Sequence, residues 1–188
     1  MPLLILDRDG VINQDSDNYI RSLEDWTPVP GSIEAIANLS KAGYQVVIAT
    51  NQSGLSRGYF TLDTLETIHD HMRGLVEAQG GSIAGIFYCP HLPDEGCLCR
   101  KPGTGLLQAI EAELEASVAG CYFIGDSLKD LQAGQAMDCR PVLVLTGKGE
   151  KTRAQLAEKD VALNAPELIP IYSNLAQASE AILSDTPR

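Results

Sequence analysis

Acidic, hydroxyl and basic side chains recur directly after short apolar segments of this chain. They are Asp7 and Asp9 in Leu-Asp-Arg-Asp-Gly, Thr50 in Thr-Asn-Gln-Ser-Gly, Lys101 in Arg-Lys-Pro, and Asp126 and Asp130 in Gly-Asp-Ser-Leu-Lys-Asp. Carboxylates can bind Mg²⁺ or attack phosphorus, a hydroxyl can donate to a phosphoryl oxygen, and an ammonium group can neutralise developing charge. Each segment alone is also an ordinary turn or helix start. Their joint occurrence favours phosphoryl transfer.

The pattern of apolar residues predicts the elements that must position these side chains. Short apolar runs predict buried strands at residues 3–6, 45–49, 83–88, 121–124 and 142–145. Helical spacing follows at residues 33–39, 62–76, 106–114 and 128–136, and a helix at 152–159, an edge strand at 169–172 and a closing helix at 174–183 complete the chain. Alternating strands and helices predict a doubly wound α/β fold, with a parallel sheet flanked by helices on both faces. Ligands bind beyond the carboxyl ends of such strands, so the chemical segments should meet at one edge.

Length and composition limit the classes of protein. A chain of 188 residues with 44% apolar residues predicts one domain over residues 1–188. The formal net charge of −11 provides no broad basic field for nucleic acid or an anionic membrane. The N-terminal sequence shows no export signal, and no apolar run is long enough to span a membrane. We therefore expect a cytoplasmic, monomeric protein.

Three cysteines and a histidine crowd into eleven residues. Cys89, His91, Cys97 and Cys99 offer a complete tetrahedral ligand set for a structural zinc ion, with reduced free thiols as the alternative. Cys121 and Cys139 lie in apolar contexts and are expected to be buried and inert. His69 and His71 lie two residues apart on a predicted helix, where ordinary surface or core packing is expected.

The order Asp-x-Asp-Gly, Thr, Lys and Gly-Asp-x-x-x-Asp resembles the four motifs of the haloacid dehalogenase (HAD) phosphatases over nearly the whole chain. The longer stretches Leu-Asp-Arg-Asp-Gly-Val-Ile-Asn, Thr-Asn-Gln-Ser-Gly-Leu-Ser-Arg-Gly and Cys-Pro-His…Cys-Leu-Cys-Arg-Lys-Pro resemble the D-glycero-D-manno-heptose-1,7-bisphosphate 7-phosphatases. This resemblance implies a Mg²⁺-dependent enzyme with a structural zinc ion. It would remove the 7-phosphate through a phospho-aspartate, in the synthesis of ADP-heptose for lipopolysaccharide.

The resemblance also implies a role for each motif residue. Asp7 is expected to be the nucleophile and a Mg²⁺ ligand, together with Asp126 and the main-chain carbonyl of Asp9. The Asp9 side chain is expected to be the general acid and base, with a raised pKa. Thr50 and Lys101 would bind the transferring phosphoryl group. Behind the metal, Ser127 and Asp130 would orient its ligands.

The chain has no room for the cap domain that many HAD proteins carry, since only nine residues separate Asp9 from Tyr19. We therefore expect an open site with specificity in its loops. The predicted substrate-binding residues are Asp15, Asn18, Tyr19, Asn51, Gln52, Ser53, Arg57 and Arg100. Arg100 is the candidate ligand for a second phosphate, because its planar guanidinium matches phosphate geometry and the resembled enzymes use an arginine there.

Other functions share part of this pattern. A receiver domain is also phosphorylated on aspartate, but its aspartate follows the third strand, whereas here that strand leads into cysteines. A zinc module without activity would not need five intact catalytic positions. Histidinol phosphate and a nucleic-acid terminal phosphate are alternative substrates, and the acidic composition disfavours the second.

Overall fold

A computed structural model describes residues 1–158 and 160–185 of the chain. Its strands are β1 (Leu3–Leu6), β2 (Gln45–Asn51), β3 (Gly85–Cys89), β4 (Tyr122–Gly125), β5 (Arg140–Val144) and β6 (Ile171–Tyr172). Its helices are α1 (Ser32–Lys41), α2 (Leu62–Ala78), α3 (Gly105–Leu114), α4 (Leu128–Ala136), α5 (Gly149–Leu156) and α6 (Leu175–Asp185). The predicted elements are all present, with ends shifted by a few residues. Lys159, the last residue of the predicted helix at 152–159, lies outside the described residues.

The six strands form one parallel sheet in the order β3-β2-β1-β4-β5-β6. This is the strand order of a doubly wound Rossmann-like fold, which confirms the predicted fold class. Strands β2 and β3 are added on one side of β1, and β4, β5 and β6 on the other, so the order of the strands reverses between β1 and β4. These two central strands therefore carry their carboxyl ends to the position where such folds bind ligands.

The alternation of side chains along β1 explains why both faces of the sheet are covered. All four residues of β1 are buried. Leu4 and Leu6 pack into the cluster that contains α1, α2 and α6, while Leu3 and Ile5 pack into the cluster with α3 and α4. Because successive side chains of a strand point to opposite faces, an apolar strand of this kind needs a helical layer on each side.

The helix boundaries follow local chemistry. Thr61 caps α2, because its hydroxyl accepts a hydrogen bond from the Thr64 N–H at 3.2 Å. Gly43 and Gly80 follow the ends of α1 and α2 with φ of +97° and +77°, a left-handed conformation that glycine adopts without strain. α5 begins at Gly149, three residues earlier than predicted.

The segment between the first motif and α1 contains no inserted domain. Residues 10–31 form turns and two isolated bridges, Asp9 with Asn13 and Asn13 with Pro28. The absence of a cap at this position is as predicted. Within residues 1–158 and 160–185, no helix is both long and apolar enough to cross a membrane.

Candidate active site

Three carboxylates from two neighbouring strand ends meet at the carboxyl edge of the sheet. Asp7 follows β1 and Asp126 follows β4, and the Asp7 N–H donates to the Ile124 carbonyl at 3.0 Å, which extends the strand pairing into the site. Asp130 joins them from the first turn of α4. One ligand atom from each of the three carboxylates lies within 4.8 Å of the other two, and all three side chains are buried.

Lys101 is the buried counter-charge of this cluster. Its Nζ lies 3.0 Å from Asp7 Oδ1 and 2.6 Å from Asp130 Oδ1, and it donates to the Ala49 carbonyl at 2.7 Å. Only 2% of the lysine is exposed. Burial opposes its charge, but Asp130 and Asp7 outweigh burial and raise the pKa of Lys101, so the ammonium form persists.

Asn51 holds the backbone that presents Lys101. Its Oδ1 accepts from the Lys101 N–H at 3.0 Å, and its Nδ2 donates to the Lys101 carbonyl at 3.1 Å. We predicted Asn51 to bind substrate. Its amide group lines the cavity, but in this structure it is engaged with the main chain.

One ammonium group does not neutralise three carboxylates. Burial and the charges of Asp130 and Asp9 raise the pKa of Asp7 to about 7, against the opposing effect of Lys101. Burial and the charges of Asp7 and Asp130 raise the pKa of Asp126 to about 8, although the Lys148 N–H lowers it. A buried cluster with excess negative charge is the environment that favours a hard divalent cation.

The loop after β5 completes the support of Asp126, and the sequence analysis missed it. Lys148 N–H donates to Asp126 Oδ2 at 2.7 Å, and the Thr146 hydroxyl donates to the Gly10 carbonyl at 2.6 Å. Gly10 and Gly147 have φ of +85° and +57°, and a Cβ on either would overlap the Asp126 carboxylate. Thr-Gly-Lys follows a predicted strand, so the rule that located the other segments would have found it.

Asp9 is held by donors on both of its carboxylate oxygens. Oδ1 accepts from Arg8 Nε and from Asn13 Nδ2, each at 2.9 Å, and Oδ2 accepts from Gln52 Nε2 at 2.9 Å and from Arg8 Nη2 at 3.1 Å. The expectation of a raised pKa is wrong for this state. Burial raises the pKa of Asp9, but the Arg8 charge and these hydrogen bonds outweigh burial and lower it.

Thr50 lies beside Asp9 at the end of β2. Its Oγ1 accepts a hydrogen bond from Gln52 Nε2 at 2.9 Å, and the side chain is buried against the cavity. Because the oxygen already accepts from Gln52, the hydroxyl proton can be directed to an anion in the cavity. Gln52, predicted as a substrate residue, therefore links Thr50 to Asp9.

Asp130 and Ser127 form the start of α4. Asp130 Oδ2 accepts from the Ser127 N–H at 3.0 Å and from its hydroxyl at 2.7 Å. This cap directs the other oxygen of Asp130 toward Lys101. Asp130 therefore contacts Lys101 directly and has a ligand atom within 4.8 Å of those of Asp7 and Asp126.

A cavity of about 610 Å³ opens over these groups. Its lining includes the predicted residues Asp7, Asp9, Asp15, Tyr19, Thr50, Asn51, Gln52, Ser53, Arg100, Lys101, Asp126, Ser127 and Asp130. Asn18 and Arg57 are not part of it. Arg57 is exposed with its guanidinium carbon 6.0 Å from the Tyr19 ring centroid, and the exposed Asn18 accepts from Arg21 through its main-chain carbonyl.

Three cavity lysines were not predicted. Lys129 and Lys151 line the wall formed by α4 and α5, and the ammonium group of Lys148 lies 3.2 Å from Asp15 Oδ2. Lys129 and Lys151 occupy exposed helix positions, where a lysine carries no sequence signal of a site, whereas Lys148 belongs to the Thr-Gly-Lys segment that follows a predicted strand. Partial desolvation and the positive charges of Arg100 and Lys148 lower the pKa of Lys129.

The Cys/His cluster has the dimensions of a tetrahedral zinc site. The Sγ atoms of Cys89 and Cys99 lie 3.0 Å apart. Each of them lies 3.6 Å from the Sγ atom of Cys97. His91 Nδ1 lies 3.1 Å from Cys99 Sγ and 3.5 Å from Cys89 Sγ. A tetrahedron with zinc–ligand bonds of about 2.0–2.3 Å has edges of roughly 3.5–3.8 Å. The four side chains therefore fit zinc after slight expansion.

The parallel sheet, the carboxylate cluster and the buried lysine define a HAD-type phosphohydrolase. A family model described as HAD-hydrolase-like matches residues 98–170, which include Lys101, Asp126 and Asp130. The sequence-based expectation of this superfamily is thereby confirmed. Receiver domains are not favoured, since the relatives described next are phosphatases.

Whole-chain comparisons identify the branch. The chain is 54% identical to the D-glycero-β-D-manno-heptose-1,7-bisphosphate 7-phosphatase of Pseudomonas putida, over 97% of this chain and 100% of that protein. It is 51% identical to the Pseudomonas aeruginosa protein of the same name, over 96% and 97% of the two chains. The crystal structure of D,D-heptose 1,7-bisphosphate phosphatase from B. bronchiseptica, complexed with magnesium and phosphate, matches with a TM-score of 0.92 and 46% identity, covering 99% of this chain and 100% of that one. The chain belongs to the family of heptose-1,7-bisphosphate 7-phosphatases.

The buried imidazole of His69 predicts a pH dependence of stability. Burial and the positive charges of Arg8 and Arg73 lower the pKa of His69 to about 3 in the folded protein, against about 6.5 when unfolded. Below pH 6.5 the unfolded chain gains a proton that the folded chain does not, so the free energy of unfolding falls as the pH falls toward 3. We expect His69→Gln to reduce this slope by up to about 1.4 kcal/mol per pH unit.

Urea unfolding of the wild type and His69→Gln at several values between pH 4 and pH 7 measures the two slopes. The two proteins share every other titrating group, so the difference belongs to residue 69. Parallel curves would contradict the predicted neutral imidazole.

Proposed function

We propose that this chain hydrolyses the 7-phosphate of D-glycero-β-D-manno-heptose 1,7-bisphosphate, in the synthesis of ADP-heptose for lipopolysaccharide. The observation that carries the proposal is the meeting of Asp7, Asp9, Thr50, Lys101 and Asp126 around one cavity. Its relatives in Pseudomonas and Bordetella, named for this reaction, support the substrate. We further propose that residues 1–188 act as one domain, as a cytoplasmic monomer without nucleic-acid or membrane partners.

The carboxylate cluster fits Mg²⁺. One ligand atom from each of Asp7, Asp126 and Asp130 lies within 4.8 Å of the others. Burial and the charges of the neighbouring carboxylates raise the pKa of Asp7 and of Asp126, and a bound cation would oppose both effects. Asp7, Asp126 and the main-chain carbonyl of Asp9 would hold the ion, with Asp130 behind them. When bound, Mg²⁺ supplies positive charge that screens the phosphoryl oxygens from the attacking carboxylate.

Asp7 is the proposed nucleophile. Lys101 and the Arg8 N–H both bind Asp7 Oδ1, which fixes the carboxylate and leaves Oδ2 to attack phosphorus. The new bond joins Oδ2 to phosphorus as the bond from phosphorus to the ester oxygen breaks, and that oxygen departs with the electron pair. Thr50 and Lys101 bind the transferring phosphoryl oxygens.

Asp9 would protonate the departing oxygen and then take a proton from the water that cleaves phospho-Asp7. In the free protein Arg8 keeps Asp9 ionised, which suits the second step. For the first step, the dianionic phosphate of the substrate brings negative charge beside Asp9 and raises its pKa against the effect of Arg8. With substrate bound, Asp9 takes up a proton from solvent, and the first step passes this proton to the ester oxygen. The second step moves a proton from water to Asp9, which returns it to solvent when inorganic phosphate leaves. The net reaction consumes one water molecule and releases the alcohol and inorganic phosphate.

Arg100 and Lys129 are the proposed ligands of the second phosphate. Both line the cavity, and Arg100 Nη1 donates to the His91 carbonyl at 3.4 Å, which holds the guanidinium beside the Cys/His loop. A guanidinium and a nearby ammonium group match a phosphate dianion in charge, and the guanidinium also matches it in geometry. Preference for a bisphosphate over a monophosphate follows from this pair.

Removing the proposed nucleophile tests the reaction. We expect Mg²⁺-dependent release of phosphate from the bisphosphate to fall at least about a thousandfold in Asp7→Asn, which keeps the shape but not the nucleophilic carboxylate. Phosphate release is measured with and without Mg²⁺. Asp63→Asn, an exposed acidic residue at the start of α2, is the matched control and should behave as wild type. Retained turnover in Asp7→Asn would refute the assignment.

Removing the proposed phosphate ligands tests the substrate. We expect Arg100→Ala, and more weakly Lys129→Ala, to lower kcat/KM for the bisphosphate by about 10- to 100-fold, because a charge-assisted hydrogen bond is lost. For heptose 7-phosphate, kcat/KM should fall little, since this sugar lacks the phosphate group that these cations bind. Arg140→Ala, at the opposite end of β5, is the control. Equal losses for both sugars would argue against the second-phosphate site.

The Cys/His cluster fits a structural zinc ion, because four protein ligands leave no open position. We expect one zinc per chain in protein purified without chelators, and its loss with a lower Tm in Cys97→Ser. Cys121→Ser removes a thiol outside the cluster and should keep the metal. Elemental analysis that finds no zinc in the wild type would remove this proposal.

A further inference from the structure

Arg8 is a buried cation whose charge lowers the pKa of Asp9, but whose side-chain geometry the proposed reaction does not use. It lies between the two catalytic aspartates in sequence, and its side chain is fully buried. A buried arginine is costly unless its charge and its donors are all engaged. Its partners therefore indicate what the residue does.

Two of the three guanidinium nitrogens of Arg8 hold the Asp9 carboxylate. Nε donates to Oδ1 at 2.9 Å, and Nη2 lies 2.9 Å from Oδ1 and 3.1 Å from Oδ2. Two donors on one planar group fix both the position and the plane of a carboxylate. The orientation of Asp9 is thus set by the orientation of Arg8.

The third nitrogen of Arg8 is held by His69, from a different part of the chain. Arg8 Nη1 lies 3.3 Å from His69 Nε2, and His69 is buried on α2 with its ring 6.0 Å from the centroid of the Tyr88 ring. Arginine can only donate, so Nε2 must be the acceptor and the imidazole proton must lie on Nδ1. His69 therefore fixes the guanidinium from the side opposite to Asp9.

We propose that Arg8 and His69 form a positioning pair that holds the carboxyl group of Asp9 in the orientation for proton transfer to the leaving group. The two side chains act through Asp9, since the guanidinium contacts the Asp9 carboxylate and the imidazole contacts the guanidinium. This inference rests on the proposed function, in which Asp9 is the general acid. A group that must meet a departing oxygen within hydrogen-bond reach loses rate when its orientation is loosened.

The proposal predicts a loss of rate that depends on the leaving group. Phenol has a pKa of about 10 and leaves poorly without a proton, whereas 4-nitrophenol leaves readily because its nitro group stabilises the phenolate. We expect His69→Met, which keeps bulk but not the acceptor, to lower kcat/KM for phenyl phosphate about tenfold and for 4-nitrophenyl phosphate by less than about threefold. Asp9→Asn removes the proposed general acid and is measured in parallel. The difference between its losses of kcat/KM for the two esters is the largest that a positioning variant can reach.

A conservative variant and a matched control separate positioning from folding. His69→Gln restores an acceptor near Nε2 and should recover most of the activity on phenyl phosphate. Arg8→Lys keeps the positive charge but loses the paired donors of the guanidinium. It should therefore show the selective loss even if His69→Met does not fold. His71→Met changes an exposed histidine on the same helix, in contact with Trp26, and should leave the ratio of the two esters unchanged.

The outcomes are distinguishable. Equal losses of both esters in His69→Met and Arg8→Lys, or a His69→Gln variant no better than His69→Met, would overturn the positioning role while leaving the phosphatase intact. An Asp9→Asn variant without leaving-group selectivity would overturn the general-acid role of Asp9 and this positioning role with it. A wild type that releases no phosphate from the heptose bisphosphate with Mg²⁺ would overturn the proposed function itself.

Discussion

The site depends on the ion pairs that the buried ammonium group of Lys101 forms with Asp7 and Asp130. Three carboxylates converge at the carboxyl edge of the sheet, and without a cation among them their mutual repulsion and desolvation would oppose folding. Lys101 contacts two of them directly, and its own backbone is held by Asn51 at the end of the neighbouring strand. The Cys/His loop leads from β3 straight into this lysine. A zinc ion there would stabilise the connection where the chain has little apolar surface to bury.

Two separate buried cations hold the two aspartates that we propose to act in catalysis. Lys101 fixes Asp7, the proposed nucleophile, and Arg8 fixes Asp9, the proposed acid and base. The residual negative charge around Asp7 and Asp126 suits a divalent ion, whereas the Asp9 carboxylate is already surrounded by donors. One short sequence therefore places two chemically similar carboxylates in different electrostatic environments, as acid–base and nucleophilic roles require.

Strand periodicity and the position of polar residues after each strand were enough to predict the fold and the meeting of Asp7, Thr50, Lys101 and Asp126. The environment of Asp9 could not be predicted, because the donors on it come partly from Gln52 and, through Arg8, from His69 on α2. Nothing in the sequence pairs His69 with Arg8. The predicted roles of Asn18 and Arg57 rested on sequence proximity to the site, and the path of the loops places both outside the cavity lining. Local pattern thus predicts which strand ends carry chemistry, while contacts between distant side chains decide the protonation of each group.

A crystal structure grown with Mn²⁺ and orthovanadate tests the central claim most directly, since Mn²⁺ prefers oxygen ligands as Mg²⁺ does and gives an anomalous signal. The account predicts an anomalous peak between the Asp7 and Asp126 carboxylates, with vanadium beside the Asp7 side chain and its oxygens bound by Thr50 and Lys101. A metal peak elsewhere on the protein, or vanadate bound away from Asp7, would contradict it.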